Sequence, residues 1–244
     1  MKKNKKRTGR GFWNTRNIVI IFAAICIVGI LIFCLLRNNS KDDEQKNIPA
    51  QLDELQETSI NLGSGMEIKE VGKYTGVFME DGSDEVVSGV LMITVKNEGE
   101  ETIQYAEITL PAGEKEAKFS LSTLTPGSTV LLLEQNRMEY MKGEYTTAVA
   151  ENVVLFSEPL SLCEDKLKIQ ALDGVINVSN ISGQDIDEEI IIYYKNSADN
   201  TFYGGITYRV RIEGGLKQNE IRQLAASHFS ESGSKIMFVT CGGK

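Results

Sequence analysis

The strongest constraint on this chain is an apolar run at residues 18–36, IVIIFAAICIVGILIFCLL, which contains no charge, amide or proline. As an α-helix this run would be roughly 28 Å long, which is about the hydrocarbon thickness of a bilayer. A helix satisfies its own backbone hydrogen bonds, which lipid cannot do. The run therefore predicts a single transmembrane helix that contacts membrane lipid.

The charges around the run predict its orientation. Residues 1–17 form a basic tail with seven Lys or Arg and no acidic residue, whereas acidic residues follow the run from Asp42 onward. Positive charge stays on the cytoplasmic side of a membrane. We therefore expect a single-pass protein of the plasma (cell) membrane, with its N-terminus in the cytoplasm and its C-terminal domains outside.

Three other types of leader fit the run less well. A cleaved signal peptide has a shorter apolar core and a small-residue cleavage site, which is missing here. A lipoprotein signal places a small residue before its cysteine, but Ile25 and Phe33 precede Cys26 and Cys34. A prepilin leader is cleaved after a glycine that the apolar stretch follows directly. Here Arg16 and other polar residues lie between Gly11-Phe12 and the apolar run.

The charge composition after residue 36 limits the classes of partner that the protein is expected to bind. The first 36 residues hold seven of the 26 basic residues and none of the 34 acidic ones, which leaves 19 basic and 34 acidic residues and a net charge of −15. A surface this acidic repels nucleic acid and anionic lipid and suits a basic partner. An ordinary solvated acidic exterior is the alternative interpretation.

The pattern of the remaining chain divides it into a stalk and a β-rich part. Residues 37–65 are predicted to be a polar stalk, with a short helix after Pro49 because Leu52 and Leu55 have helical spacing. From residue 66 the apolar residues alternate, as in ITVKN, and turn signals such as Thr125-Pro126-Gly127 separate the runs. This pattern predicts an all-β fold.

The two halves of the β-rich part resemble each other. At an offset of 83 residues, six identities fall between residues 93 and 119, where average composition would give about two. The six pairs are Ile93 and Ile176, Val95 and Val178, Asn97 and Asn180, Ile103 and Ile186, Ile108 and Ile191, and Phe119 and Phe202. The repeat predicts two β-sandwiches, at residues 66–160 and 161–244, and one larger sandwich is the alternative.

The second half carries a family resemblance. Val178-Ser179-Asn180-Ile181-Ser182 and Tyr193-Tyr194 resemble the FxLYD-like and related immunoglobulin-like modules of bacterial envelope proteins. Asn219 departs from their pattern, because it stands where those modules have a glycine. The resemblance implies two immunoglobulin-like antiparallel β-sandwiches after the transmembrane helix, in an adhesion, scaffold or accessory role, and a fold alone specifies no activity.

Catalytic and metal-binding patterns are missing from the sequence. His228 is the only histidine, and no Ser or Cys motif surrounds it, so it is expected to be an ordinary strand residue. The sequence also lacks a phosphate-binding loop and a Cys-x-x-Cys pair. The segment Asp81–Glu85 lacks a full calcium ligand set and is expected to be a turn. We predict a protein that is not an enzyme, with no catalytic residue, metal site or cofactor.

Candidate binding residues lie in the second half. Arg209 and Arg211 alternate with apolar residues in TYRVRI, which predicts a small basic stripe on one strand face, and Tyr203 belongs to a crowded set of aromatic residues. A stripe of this kind suits a protein or cell-wall partner, whereas the alternative interpretation is a solvated strand face with aromatic packing beneath it.

Two cysteines bracket the second half. Cys163 precedes its first strand and Cys241 ends its last. In an oxidising compartment such a pair is able to form a disulfide, and two free buried thiols are an equally good interpretation.

Three functional hypotheses remain from the sequence. The first is a membrane-anchored protein whose β-sandwiches act outside the membrane in non-enzymatic binding, or as a scaffold or accessory component of an envelope assembly. The second is a regulatory subunit that acts through its transmembrane helix on a membrane enzyme or secretion machine. A cell-surface enzyme with an unrecognised site is a third class.

Overall fold

The computed structural model describes residues 50–241, which form β-strands joined by turns and loops and contain no helix. The all-β prediction is confirmed for this part of the chain. None of the described residues forms a helix able to cross a membrane, and the predicted span at residues 18–36 lies outside them. The strands are β1 (Gln51–Gly63), β2 (Met66–Val77), β3 (Val86–Asn97), β4 (Ile103–Ala112), β5 (Lys115–Leu124), β6 (Thr129–Leu133), β7 (Val149–Leu155), β8 (Leu167–Leu172), β9 (Val175–Asn180), β10 (Ile190–Ala198), β11 (Thr201–Ile212), β12 (Ile221–Ala225) and β13 (Ser234–Cys241).

The described strands form three sheets. A seven-stranded sheet has the order β1-β2-β3-β6-β11-β10-β13, and two three-stranded sheets have the orders β5-β4-β7 and β12-β9-β8. We call residues 50–160 the first half and residues 161–241 the second half. The large sheet contains strands of both halves, because β6 of the first half pairs in parallel with β11 of the second.

Alternation along the strands produces two main hydrophobic cores. In β5, Ala117, Phe119 and Leu121 are buried while Lys118 between them is exposed, which places one face of the strand in the first core. The second core collects Ile176 and Val178 of β9 with Ile190 and Ile192 of β10. Burying an Ile, Leu or Phe side chain contributes about 1.5–3 kcal/mol, so these two cores supply most of the stabilisation.

Strand β3 is buried on both faces. Leu91, Ile93 and Val95 contribute to the first core, whereas Val90 and Met92 belong to a third cluster with Tyr74, Phe78, Leu131 and Leu133. Partly buried Tyr203 of the second half packs against this third cluster. The centre of the large sheet is therefore covered on both sides.

The short helix predicted after Pro49 is wrong. Residues 51–63 form β1, which pairs antiparallel with β2 from Gln51 opposite Thr75 to Gly63 opposite Met66. Leu52 and Leu55 have helical spacing, but they are 38% and 45% exposed. Their spacing therefore does not mark the buried face of a helix. Buried Ile60 and Leu62 alternate instead, and their contact with the first core favours the strand.

The two asparagines aligned by the sequence comparison make matching hydrogen bonds. Asn97 Nδ2 donates to the carbonyls of Glu101 and Leu124, and its Oδ1 accepts from the amide of Gly99. Asn180 Nδ2 donates to the carbonyls of Gln184 and Leu216, with further hydrogen bonds to Lys217 and Ser182. In both halves a buried asparagine therefore closes the turn that follows its strand.

The strands beside these asparagines also pair in the same register. Lys96 lies opposite Thr129, and Ser179 lies opposite Ile221, one residue before the asparagine in each half. Gly127 and Asn219 precede the paired strands by two residues and have φ angles of 73° and 60°. Asparagine tolerates this left-handed conformation better than most residues, which explains why it stands in the glycine position.

Residues separated by the fixed offset of 83 are no longer structurally equivalent further along the chain. Phe119 pairs with Ile108 in the middle of the β4–β5 ladder, whereas Phe202 pairs with Ser197 at the hairpin end of β10 and β11. The match of Phe119 with Phe202 is therefore not a structural equivalence. A single offset cannot follow two halves whose connections differ in length.

Replacing Asn180 with alanine is expected to cost about 2–4 kcal/mol in the free energy of unfolding, because buried backbone carbonyls lose their donors. The control is Asn177→Ala in the same strand, where the side chain is half-exposed and accepts a hydrogen bond from Gln223, and where the cost should stay near 0.5 kcal/mol. Equal losses in urea unfolding of the two variants would contradict this role of Asn180.

Candidate functional site

A groove lies beside the segment that connects β7 to β8. Its volume is about 340 Å³. Glu100 and Glu101 on one side are exposed carboxylates, while Phe156 and Leu160 present apolar surface. The remaining lining residues are Thr102, Thr125, Ser157, Glu158 and Pro159. The groove thus combines apolar walls with negative charge, a combination that suits an amphipathic or basic partner segment.

A row of aromatic rings leads from this groove across the large sheet. Phe156 meets Phe238 edge-on with centroids 5.3 Å apart, and Phe238 stacks on Tyr193 at 4.2 Å. Phe238 also packs against the first core. The row therefore connects the groove to strands β10 and β13, and its packing holds the rings in fixed positions.

Arg209 and Arg211 lie on the strand next to this row. Arg209 is opposite Tyr193, Arg211 is opposite Ile191, and both arginines are exposed. Arg211 pairs with Glu189 at 3.4 Å. The structure thus places the two arginines beside the aromatic row, with Arg209 directly beside Tyr193.

Tyr203 lies in a different environment from the two arginines. It pairs with Leu131 of β6 and packs against the third cluster. Between Tyr203 and Tyr208 the register of β11 with β10 slips, because Tyr194 faces Tyr208 whereas Asn196 faces Tyr203. The three sequence-predicted residues therefore do not form one site.

The register slip in β11 forms the junction between the two halves. Residues 204–207 bulge toward β5 of the first half, and the Ser122 hydroxyl donates to the carbonyl of Gly205 at 2.7 Å. The Ser122 and Thr207 hydroxyls lie 2.8 Å apart. A bulge leaves backbone groups unpaired by the ladder, and here side chains of both halves satisfy them.

Lys195 of β10 enters this bulge. Its side chain is 1% exposed. Its Nζ donates to the carbonyls of Ser122 at 2.9 Å, Gly205 at 3.2 Å and Ile206 at 3.0 Å. All three ammonium protons therefore have an acceptor, and one of those acceptors belongs to the first half.

Glu80 reaches the same bulge from the loop after β2. One carboxylate oxygen accepts from the Leu133 amide at 2.8 Å and the other from the Gly205 amide at 2.7 Å. The peptide groups of Gly205 thus contact Glu80 through the N–H and Lys195 through the carbonyl. Since Leu133 is in β6 and Gly205 is in β11, the carboxylate bridges the two strands that join the halves.

Both charges at the junction carry a desolvation cost. Burial raises the pKa of Glu80 to about 7, against the opposing effects of its two amide hydrogen bonds and of Lys195. Burial lowers the pKa of Lys195 to about 7, against the opposing effect of the Glu80 charge. Each group therefore favours the charged form of the other.

The pKa of Glu80 predicts a pH dependence of stability. Between its ordinary value near 4.5 and about 7 the folded state holds a proton that the unfolded state has lost. The stability from protonated Glu80 is thus complete below pH 4.5 and is lost as the pH rises through 7, by about 3 kcal/mol at pH 7, of which about 2 kcal/mol is lost between pH 5 and pH 7. Urea unfolding at pH 5, 6 and 7 should show this loss in the wild type but not in Glu80→Gln. A variant with the same slope as the wild type would contradict it.

A second contact between the halves involves His228. Its ring stacks on Tyr208 with centroids 4.7 Å apart, and its Nε2 lies 3.3 Å from Asp84 in the loop after β2. Ser227 Oγ is 3.3 Å from the other ring nitrogen. Ser227 and Asp84 are both exposed, so this arrangement lacks the enclosed, positioned nucleophile that a catalytic triad requires.

The acidic loop at residues 81–85 is held by an arginine. Arg137 pairs with Asp81 at 3.0 Å and also with Glu85, while its guanidinium lies 4.6 Å from the centre of the Phe78 ring.

Among the described residues, no group of three or more His, Cys, Asp and Glu side chains is arranged to hold a metal ion.

Cys163 and Cys241 meet beside the second core. Both are partly buried free thiols, and Cys163 Sγ donates to the carbonyl of Val239 at 3.5 Å. Burial, together with a hydrogen bond to the Cys163 thiol, raises the pKa of Cys241 to about 12. Cys163 and Cys241, for which the sequence left a disulfide and two free thiols equally open, are thus neighbours in space as free thiols. Cys26 and Cys34 lie outside the described residues.

Comparison with known proteins identifies no family for this chain. No protein-family model matches it, and no curated protein matches it.

Proposed function

We propose that the chain is a single-pass membrane protein that holds two immunoglobulin-like β-sandwiches outside the membrane as one rigid binding unit. Residues 18–36 anchor it, with the basic tail in the cytoplasm, and the β-rich part acts without catalysis as a binding, scaffold or accessory component of an envelope assembly. The FxLYD-like resemblance and the matching asparagine turns support the choice of two related modules.

The observation that carries this proposal is the joining of the halves through β6 and β11. Flexibly linked modules would present two separate small surfaces. Here a shared sheet and the hydrogen bonds that Lys195 and Glu80 make to the backbone at the junction fix the halves within one compact unit. This fixes the groove and the aromatic row that leads from it, and a preorganised surface loses less entropy when it binds.

A site-specific crosslinking experiment tests the proposal. A photoreactive amino acid at Ser157, which is exposed in the groove, should give one discrete adduct in membranes of the source organism, and Arg209→Ala should weaken that adduct. The matched control is Gln170, an exposed residue of β8 that does not line the groove. Identical adducts at both positions, or none at Ser157, would contradict a binding role for this surface.

The alternative is a regulatory subunit that acts through its transmembrane helix. The regulatory function is favoured by the length of the apolar run at residues 18–36 and by its lack of charged residues, amides and proline. Exchange of residues 17–37 for an unrelated membrane span separates the two functions. The binding unit should keep its Ser157 adduct after the exchange, whereas a regulatory helix should lose its effect.

A further inference from the structure

The segment that enters the second half lies against the end of its last strand. The amide of Val239 in β13 donates to the carbonyl of Ser161 at 2.8 Å, and Cys163 Sγ donates to the carbonyl of Val239 at 3.5 Å. Cys241 is two residues beyond Val239 on the same strand face, because side chains alternate along a strand. Both cysteines pack against the second core.

We propose that Cys163 and Cys241 are a modification site, at which a disulfide-class oxidant links the entry segment of the second half to the last residue of β13. Both side chains pack against the second core and a hydrogen bond joins their thiols, so the two sulfur atoms already lie close together. Both residues are partly exposed, which gives a small oxidant access to them.

The reaction is a thiol–disulfide exchange in two steps. The Cys163 thiolate attacks one sulfur of the oxidant RSSR, forms a Cys163–S–S–R bond and releases RS⁻, which takes up a proton. Cys241 then loses its proton to solvent and attacks the Cys163 sulfur, which releases the second RS⁻. The protein loses two electrons and two protons, and the oxidant gains both and becomes two RSH molecules.

The order of the steps follows from the environment of Cys241. Its thiol stays protonated at neutral pH because burial and its hydrogen bond to Cys163 raise its pKa to about 12. The thiolate is the nucleophile in this exchange, so Cys163 reacts first and Cys241 completes the bond. The second step should therefore accelerate as the pH rises above neutral.

The link would stabilise the edge of the large sheet. Among the described strands β13 is the terminal one of this sheet and pairs with β10 alone, while the entry segment contacts its outer edge through the hydrogen bond from Val239 to Ser161. A bond from Cys241 to Cys163 closes a loop that contains the second core and holds this end in place. Because loop closure restricts the unfolded chain, the second half should resist unfolding more strongly after oxidation.

The experiment uses the full chain with Cys26→Ala and Cys34→Ala, so that Cys163 and Cys241 are the remaining cysteines. After incubation with glutathione disulfide, a maleimide added in denaturant should label neither cysteine, and the intact mass should fall by two hydrogen atoms. The melting temperature should rise by about 5–10 °C relative to the chain treated with dithiothreitol. Retained maleimide labelling, or a crosslink that lowers the melting temperature, would overturn the proposal.

The matched control moves one cysteine by one residue. In the variant that combines Cys241→Ser with Thr240→Cys, the new thiol lies on the opposite face of β13. Its separation from Cys163 along the chain differs by one residue from that of the native Cys241. Its crosslink to Cys163 should form at least about tenfold more slowly, because the side chains diverge. Equal rates would show that chain proximity alone drives the link and would overturn the proposal. Because all of these measurements use purified protein, their result does not depend on the membrane orientation proposed above.

Discussion

Replacing Gly205 with alanine is expected to cost at least about 3 kcal/mol in the free energy of unfolding, because a Cβ cannot fit at this position. An ideal Cβ on Gly205 would lie 1.8 Å from the carbonyl oxygen of Ser120 and 3.1 Å from a carboxylate oxygen of Glu80. The carbonyl belongs to the backbone of β5, so relief requires movement of a whole strand. The expected result is separation of β11 from β5 and loss of the junction.

Urea unfolding of the full chain measures this effect. The control is Gly143→Ala, where an added Cβ meets no atom within 4 Å and φ is not positive. Its cost should remain near 0.5 kcal/mol. If Gly205→Ala were as stable as Gly143→Ala, the close approach of β11 to β5 would be wrong.

Replacing Lys195 with methionine is expected to cost about 3 kcal/mol or more, because buried backbone carbonyls lose a charged hydrogen-bond donor. The carbonyls of Ser122, Gly205 and Ile206 lose their donor. Glu80 also loses the positive charge that opposes its desolvation, so its pKa should rise further. Methionine keeps most of the side-chain volume, and the loss therefore reports on polar contacts and not on a cavity.

The matched control for Lys195 lies directly across the ladder. Lys235 of β13 pairs with Lys195 but is exposed, and Lys235→Met should change stability by less than about 0.5 kcal/mol. The double variant Glu80→Gln, Lys195→Met should lose less than the sum of the single losses, because the two groups share one network. Additive losses would argue against coupling between Glu80 and Lys195.

The sequence predicted the features that depend on local pattern. Alternation in β5 and β9 indicated strands with one buried face, and the aligned asparagines marked equivalent turns. The same pattern in ITVKN predicted a half-buried β3, which is wrong, because the third cluster covers the second face of this strand. The exposed positions of Arg209 and Arg211 also followed from alternation with Tyr208, Val210 and Ile212. These features depend on residues close in the chain, which is why a sequence pattern reveals them.

The junction could not be predicted in the same way. Lys195 follows Tyr193 and Tyr194 in a strand, where a charged residue usually faces solvent, and its burial comes from β5 of the other half. The pairing of β6 with β11 joins residues more than 70 positions apart. One signal was present: the adjacent Gly204 and Gly205 inside a strand indicate close backbone approach. The strand β1 was missed because two exposed leucines happened to have helical spacing.

The central claim is that the two halves form one cooperative unit through the junction. Native-state hydrogen exchange of the full chain tests it most directly, through the slowest amides of β3 in the first core and of β9 in the second. We expect the same free energy of opening for both strands, and an equal decrease in both on Lys195→Met. Opening energies that differ by several kcal/mol, or a decrease confined to one half, would contradict it.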